Sequence, residues 1–180
     1  MSQLTKYHQD KPEHCILNTK NSEEIIATLS EVDIRFARWN ASFPIDSNTT
    51  NEQILEAYSD DIQTLIKSEG YQTVDVVSMH PTHPEKAAFR EKFLSEHTHS
   101  EDEVRFFVNG KGLFCLHIDE HVYQVLCEKE DLIRVPANTT HWFDMGSQPE
   151  FTAIRLFNNQ EGWVAHFTGN PIAEQFPLLD

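Results

Sequence analysis

The sequence predicts a mainly β fold, a sandwich or small barrel with a helical layer at its N-terminal side. Three observations carry that expectation. From Tyr71 onward, short apolar or alternating runs follow one another, broken by tight-turn residues. Before Tyr71, apolar residues recur at helical spacing. Between the later runs there is no regular helix–strand alternation, which a parallel sheet with crossover helices would require.

Taken in order, Asn21 or Ser22 can cap a short helix whose first turn holds Glu23 and Glu24. A longer helix follows Thr50, where Thr50-Asn51-Glu52-Gln53 forms a capping box. Ile54, Leu55, Tyr58, Ile62, Leu65 and Ile66 give it one apolar face, and Gly70 supplies the stop. That face is expected to pack on the sheet. Residues 74–77 read as a strand and 85–94 as a short helix after Pro84. Strands are then expected at 104–108, 113–118, 122–126, 132–135, 141–144 and 151–157. Asn109-Gly110 and Asp119-Glu120-His121 are turn material between the first three. The expected organisation is a single domain over 1–180: a helical layer to about residue 70, a barrel core at 71–168 and a tail at 169–180.

Composition narrows the function classes. At 180 residues, 39% hydrophobic and 24% charged, the chain can fill one core. A formal net charge of -15 opposes nucleic acid and anionic membrane as partners. Met1-Ser2-Gln3-Leu4-Thr5-Lys6 has no apolar leader core, and no segment approaches membrane-spanning length. Cys15, Cys115 and Cys127 are too scattered for a disulfide framework, which favours free thiols in a reducing cytoplasm. An acidic chain without a sticky stripe is expected to be a monomer.

The chemistry-bearing stretch is Glu96-His97-Thr98-His99-Ser100-Glu101-Asp102-Glu103, followed later by Pro136-Ala137-Asn138-Thr139-Thr140-His141. On a strand, residues two apart share a face, so His97 and His99 can serve one ion, with Glu103 and His141 completing a set. Imidazole and carboxylate together suit Fe, Ni, Co, Mn or Zn, and the absence of a cysteine disfavours a thiolate zinc site or an iron–sulfur cluster. A closed structural zinc site is the competing arrangement, weakened because a chain with this core hardly needs a metal staple. By the same parity Arg105 lies beside Glu103, with Phe107 behind, and a buried guanidinium there must serve Glu103 or an anionic ligand. His80 and His83 lie in a loop-like stretch, His117 and His121 are expected to be solvated at a hairpin end, and His166 is ambiguous. Most aromatics read as core; Phe143 and Trp163 are candidates for the wall of an apolar pocket. Arg155 is either a second cation of the site or an ordinary ion-pair partner.

The two metal-bearing segments resemble the paired motifs of the cupin superfamily, H-x-H-x(3,4)-E-x6-G and P-x-G-x2-H. Gly110 falls in place after Glu103, whereas Asn138 replaces the glycine of the second motif and Glu91 and Glu130 stand where glycine is common. Asn tolerates a left-handed backbone, so the turn can persist. A narrower resemblance is to the acireductone dioxygenase family of methionine salvage. It is carried by Ile34-Arg35-Phe36-Ala37-Arg38-Trp39, Glu96-His97-Thr98-His99, Glu101-Asp102-Glu103-Val104-Arg105-Phe106-Phe107, Val135-Pro136-Ala137 through His141-Trp142-Phe143-Asp144-Met145-Gly146, and Gly162-Trp163-Val164.

The resemblance implies a cupin-type double-stranded β-helix barrel (a jelly roll). It implies one Fe(II) or Ni(II), with Co(II) or Mn(II) as substitutes, held by His97, His99, Glu103 and His141 with two adjacent positions open to a chelating substrate. That substrate would be acireductone, consumed with O2. The Fe(II) form would give 4-methylthio-2-oxobutanoate and formate, the Ni(II) form 3-methylthiopropanoate, formate and carbon monoxide. Arg105 would stabilise the substrate dianion, Glu96 would assist metal loading and Asp102 would couple the site to its surroundings. Two other readings stand beside it: a metal-dependent sugar isomerase or epimerase of the same superfamily, and a non-enzymatic binder of metal or a small ligand.

Overall fold

The computed structural model describes residues 1–180. Its strands are β1 (Gln3–His8), β2 (Cys15–Thr19), β3 (Arg35–Arg38), β4 (Thr73–Met79), β5 (His97–Thr98), β6 (Glu103–Ile118), β7 (His121–Glu128), β8 (Asp131–Val135), β9 (Thr140–Asp144), β10 (Phe151–Phe157) and β11 (His166–Phe167). Helices α1 (Ser22–Ser30), α2 (Asn51–Ala57), α3 (Ser59–Glu69) and α4 (Lys86–Leu94) complete the regular structure. Every strand pair is antiparallel.

The organising element is β6. Its first half pairs with β8 and β10, extending to β3 and β4, while its second half pairs with β7 and β9, extending to β1–β2 and to β5–β11. One strand therefore belongs to two facing layers. The bend falls at Gly110, with φ +68°, where a Cβ would lie 1.9 Å from the Glu150 carbonyl oxygen. The turn expected at Asn109-Gly110 is thus a kink inside a continuous strand: glycine permits either, and the close approach of Glu150 selects the kink.

Alternation along β6 separates two interiors. Phe107 packs between the layers with Phe114, Leu116, Phe143 and Phe151. Val104, Phe106 and Val108 face outward, under Ile54, Tyr58, Ile62 and Leu65 of α2 and α3. The apolar helical face does pack on the sheet. The capping box is present, Thr50 Oγ1 accepting from Gln53 N–H at 3.2 Å and Gln53 Oε1 from Thr50 N–H at 2.9 Å. The expected long helix is interrupted at Tyr58, whose φ of −108° and ψ of 19° leave the helical region. Asn21 caps α1 through Glu23 and Glu24, and Gly70 ends α3 in the left-handed region.

The helical layer before residue 70 requires correction. Residues 3–19 form the β1–β2 hairpin, which adds to the edge of β7. Leu4 and Tyr7 are three apart, a helical interval, yet they point to opposite faces of a strand: Leu4 enters the main core and Tyr7 packs with Trp142, Ile172 and Phe176. The segment at 34–38 likewise supplies β3, paired to β8. All three cysteines are free thiols, Cys15 exposed and the other two buried. No helix is long and apolar enough to cross a membrane.

Candidate metal centre

Three strands and one loop residue build the site. His97 lies on β5 directly opposite His141 on β9, and His99 follows β5 within the same turn of chain. Glu103 opens β6, whose second half holds β9 in register through Leu116 and His141. The ring centroids are 4.5 Å apart for His97 and His141, 5.1 Å for His97 and His99, and 5.2 Å for His99 and His141. One nitrogen from each ring lies within 4.8 Å of the other two. Glu103 Oε2 is 3.4 Å from His99 Nε2 and 3.5 Å from His141 Nε2.

The opposite ring nitrogens explain this convergence. Nδ1–H of His97 donates to Ser95 O at 2.7 Å, that of His99 to Val164 O at 3.0 Å, and that of His141 to Thr139 O at 2.8 Å. In a neutral imidazole this leaves each Nε2 as a lone pair, the tautomer a metal ligand needs. Two of the converging atoms, Glu103 Oε2 and His141 Nε2, are buried without a hydrogen-bond partner. Orphaned buried polar atoms are costly, and a divalent cation among three imidazoles and a carboxylate satisfies both at once.

Electrostatics agree with that fit. Burial, reinforced by His141, depresses the His97 imidazolium to about 4, and burial lowers His99 as well. Both rings therefore stay neutral and available. Burial alone would raise the Glu103 carboxyl, but the Arg105 guanidinium and the neighbouring His141 hold it well below the usual range. Arg105 Nε donates to Glu103 Oε1 at 2.5 Å, and its guanidinium lies 5.0 Å and 4.9 Å from the ring centroids of Phe114 and Phe143. The parity argument for Arg105 holds.

The turn bearing His141 is equally well determined. Asn138 adopts φ +63°, as expected of an Asn in place of glycine. Its N–H donates to His99 O at 2.8 Å, joining the two metal-bearing segments. Asp102 accepts from Ala137 N–H at 2.9 Å and pairs with Arg134 at 3.3 Å, so it fixes this turn from the other side. Gly112 makes room for the site wall: a Cβ there would meet the Phe143 ring at 2.2 Å.

Above these groups is a cavity of 210 Å³ walled in part by Phe143, Phe157 and Trp163. Both pocket-wall candidates line it. Arg155 also lines it and combines the two roles left open for it: it pairs with Asp75 at 2.6 Å and 3.0 Å and stacks near Phe157 and Trp163. Glu96 does not face this cavity. It is buried, accepts from Thr168 Oγ1 at 2.7 Å and lies 2.7 Å from His117 Nδ1, so it is neither a solvated carboxylate nor a member of the imidazole cluster. His117, expected in solvent, is held between Glu96 and Gln9. A Glu and a His 21 residues apart carried no sequence signal of pairing. His80, His83, His121 and His166 stand outside the cluster.

Comparison with known proteins agrees with this geometry. The family model described as the ARD/ARD' family matches residues 3–165. Acireductone dioxygenase of Pseudomonas paraeruginosa is 57% identical over 180 residues, covering 100% of this chain and 99% of the relative. That of Yersinia enterocolitica is 52% identical, covering 100% of both. A solved structure of acireductone dioxygenase from Bacillus anthracis, with cadmium ion in its active center, superposes with a TM-score of 0.83 at 30% identity, over 93% of this chain and 98% of that one. The antiparallel barrel is therefore of the cupin type expected from the motifs. The chain belongs to the ARD/ARD' family.

Proposed function

We propose that this chain is a metal-dependent acireductone dioxygenase, with His97, His99, Glu103 and His141 as the ligands of one Fe(II) or Ni(II). The observation that carries the reading is the convergence of three Nε2 lone pairs and an unpartnered carboxylate oxygen beside a buried guanidinium. When bound, the ion supplies Lewis acidity and a template on which an electron-rich enediolate and O2 can meet.

The chain's own residues do the rest. Arg105 holds Glu103 through Nε and presents its remaining guanidinium edge to the substrate, where it balances the charge of an enediolate. Because this cation is already ordered over Phe114 and Phe143, little reorganisation is needed when the anion arrives. Phe143, Phe157 and Trp163 exclude water and meet the apolar part of the substrate. Asp102, by tying the Pro136–Asn138 turn to the loop after His99, is a positioning residue that couples the site to its surroundings. Glu96 assists loading only indirectly, by anchoring the strand that carries His97.

The expected products depend on the ion: 4-methylthio-2-oxobutanoate and formate with Fe(II), or 3-methylthiopropanoate, formate and carbon monoxide with Ni(II). The reading includes a place in methionine salvage and action as a cytoplasmic monomer, in keeping with free thiols and a net charge of -15. The test is O2 uptake with acireductone by Fe(II)- and Ni(II)-loaded protein, with product identification. Uptake with ion-dependent products supports the reading; turnover of a sugar without O2, or ion binding with no turnover, overturns it.

A further inference from the structure

A net charge of -15 sets an electrostatic problem for the function proposed above, because so acidic a chain repels an enediolate dianion on approach. Three side-chain cations line the cavity over the imidazoles: Lys92, Arg105 and Arg155. Arg105 is matched by Glu103 at 2.5 Å and Arg155 by Asp75 at 2.6 Å, whereas Lys92 enters no ion pair. The adjacent Glu91 lines the neighbouring groove and not this cavity. Lys92 is therefore the one lining residue whose formal charge is left uncompensated.

Its place follows from how α4 is fastened. Phe89 and Phe93, one turn apart, stack with ring centroids 6.0 Å apart, and Phe93 meets Phe143 of the cavity wall at 6.3 Å. Arg90 donates to both carboxylate oxygens of Asp144 on β9, at 2.8 Å and 3.1 Å. At ~3.6 residues per turn, Arg90 and Lys92 flank the Phe89–Phe93 stripe on opposite sides. Clamping Arg90 to β9 on one side turns Lys92 toward the cavity on the other. Lys92 is exposed, as are Trp163 and Phe167 of the same lining, while the three imidazoles, Glu103 and Arg105 are buried. The ammonium stands where the cavity opens to water; the paired guanidinium stands deep inside it.

We propose that Lys92 is a substrate-recruiting residue: its unpaired charge draws the dianion through the acidic surface to the cavity mouth, and Arg105 takes it over inside. This rests on the dioxygenase reading of the site. A last-turn lysine also complements the helix dipole, and Lys67 controls for that role. It is exposed in the last turn of α3, which packs on the outer face of the sheet, and its loss changes the net charge equally.

The test compares Ni(II)-loaded wild type, Lys92→Gln, Lys92→Arg and Lys67→Gln at ~10 mM and ~1 M ionic strength, where the screening length is ~30 Å and ~3 Å. O2 uptake with acireductone gives kcat and KM. Calorimetry gives the Kd of squarate, an enediolate dianion, and of acetohydroxamic acid, an oxygen chelator uncharged at neutral pH. At low salt Lys92→Gln should lower kcat/KM and weaken squarate binding ~4–10-fold, the Coulomb scale for one charge acting on a dianion ~6–10 Å away in water. The loss should fall on KM with kcat kept, and at high salt it should shrink below ~2-fold. Lys92→Arg and Lys67→Gln should match the wild type, and acetohydroxamic acid should bind all four alike. A loss in Lys92→Gln no larger than in Lys67→Gln, one undiminished at high salt, or an unchanged squarate Kd overturns this proposal alone. A wild type that takes up no O2 with acireductone removes the dioxygenase reading, and this proposal with it.

Discussion

Replacing Arg105 by Met isolates what the buried guanidinium contributes, because the new side chain keeps apolar contact with Phe114 and Phe143 while removing the charge. Arg105 is 6% exposed and Glu103 2% exposed, so the pair is largely withdrawn from bulk water. Deleting one partner of a buried ion pair costs ~3–5 kcal/mol, because the other charge is left without compensation. For a chain of this size, ~2–4 °C per kcal/mol makes that a fall in Tm of roughly 6–20 °C for metal-free protein. Nickel should recover much of the loss, since the ion offers Glu103 a second source of positive charge. Turnover should not recover: losing a preorganised charge at the reacting anion costs ~10²–10³-fold in kcat. The assays are thermal unfolding with and without Ni(II), metal analysis, and O2 uptake. A metal-free variant that melts with the wild type, or a loaded variant with wild-type kcat, would refute the argument.

Three further outcomes follow from the same structure. Gly110→Ala places a methyl group 1.9 Å from the Glu150 carbonyl in a backbone of positive φ, so chemical denaturation should show a loss of more than ~2 kcal/mol. In chelator-treated protein, His97 is neutral when folded down to about pH 4 but protonates near 6.5 when unfolded, so the unfolded state binds more protons between those values. Stability should accordingly be full above pH 6.5 and fall by up to about 3 kcal/mol as pH drops toward 4; an urea midpoint constant across that range would contradict the burial argument. Thr50→Ala breaks the reciprocal cap of α2 far from the site, and it should cost ~0.5–2 kcal/mol in stability without altering kcat.

Much of the site was legible because its chemistry is local. The spacing of His97 and His99, the parity of Glu103 and Arg105, and a Pro-led turn before His141 each follow from two-residue strand periodicity or turn chemistry. Asn138 at φ +63° shows that the turn survives without its glycine. What escaped the sequence depends on contacts between distant segments. The β1–β2 hairpin offers too few buried residues for a period to emerge, since only Leu4, Tyr7 and Thr19 along its strands are buried with Ser2 just outside. Gly110 supports a turn or a bent strand equally well until the Glu150 carbonyl is placed against it. The same holds for Glu96 and His117, joined only by the fold.

The most direct test of the central claim is X-ray absorption of the nickel-loaded protein. Nickel held as proposed by three imidazoles and one carboxylate, with two further positions open, should show six nitrogen and oxygen neighbours and the outer-shell scattering of three imidazoles, reduced to two in His141→Ala. A sulfur neighbour, a four-coordinate ion closed off by protein, or an imidazole count unchanged in that variant would contradict it.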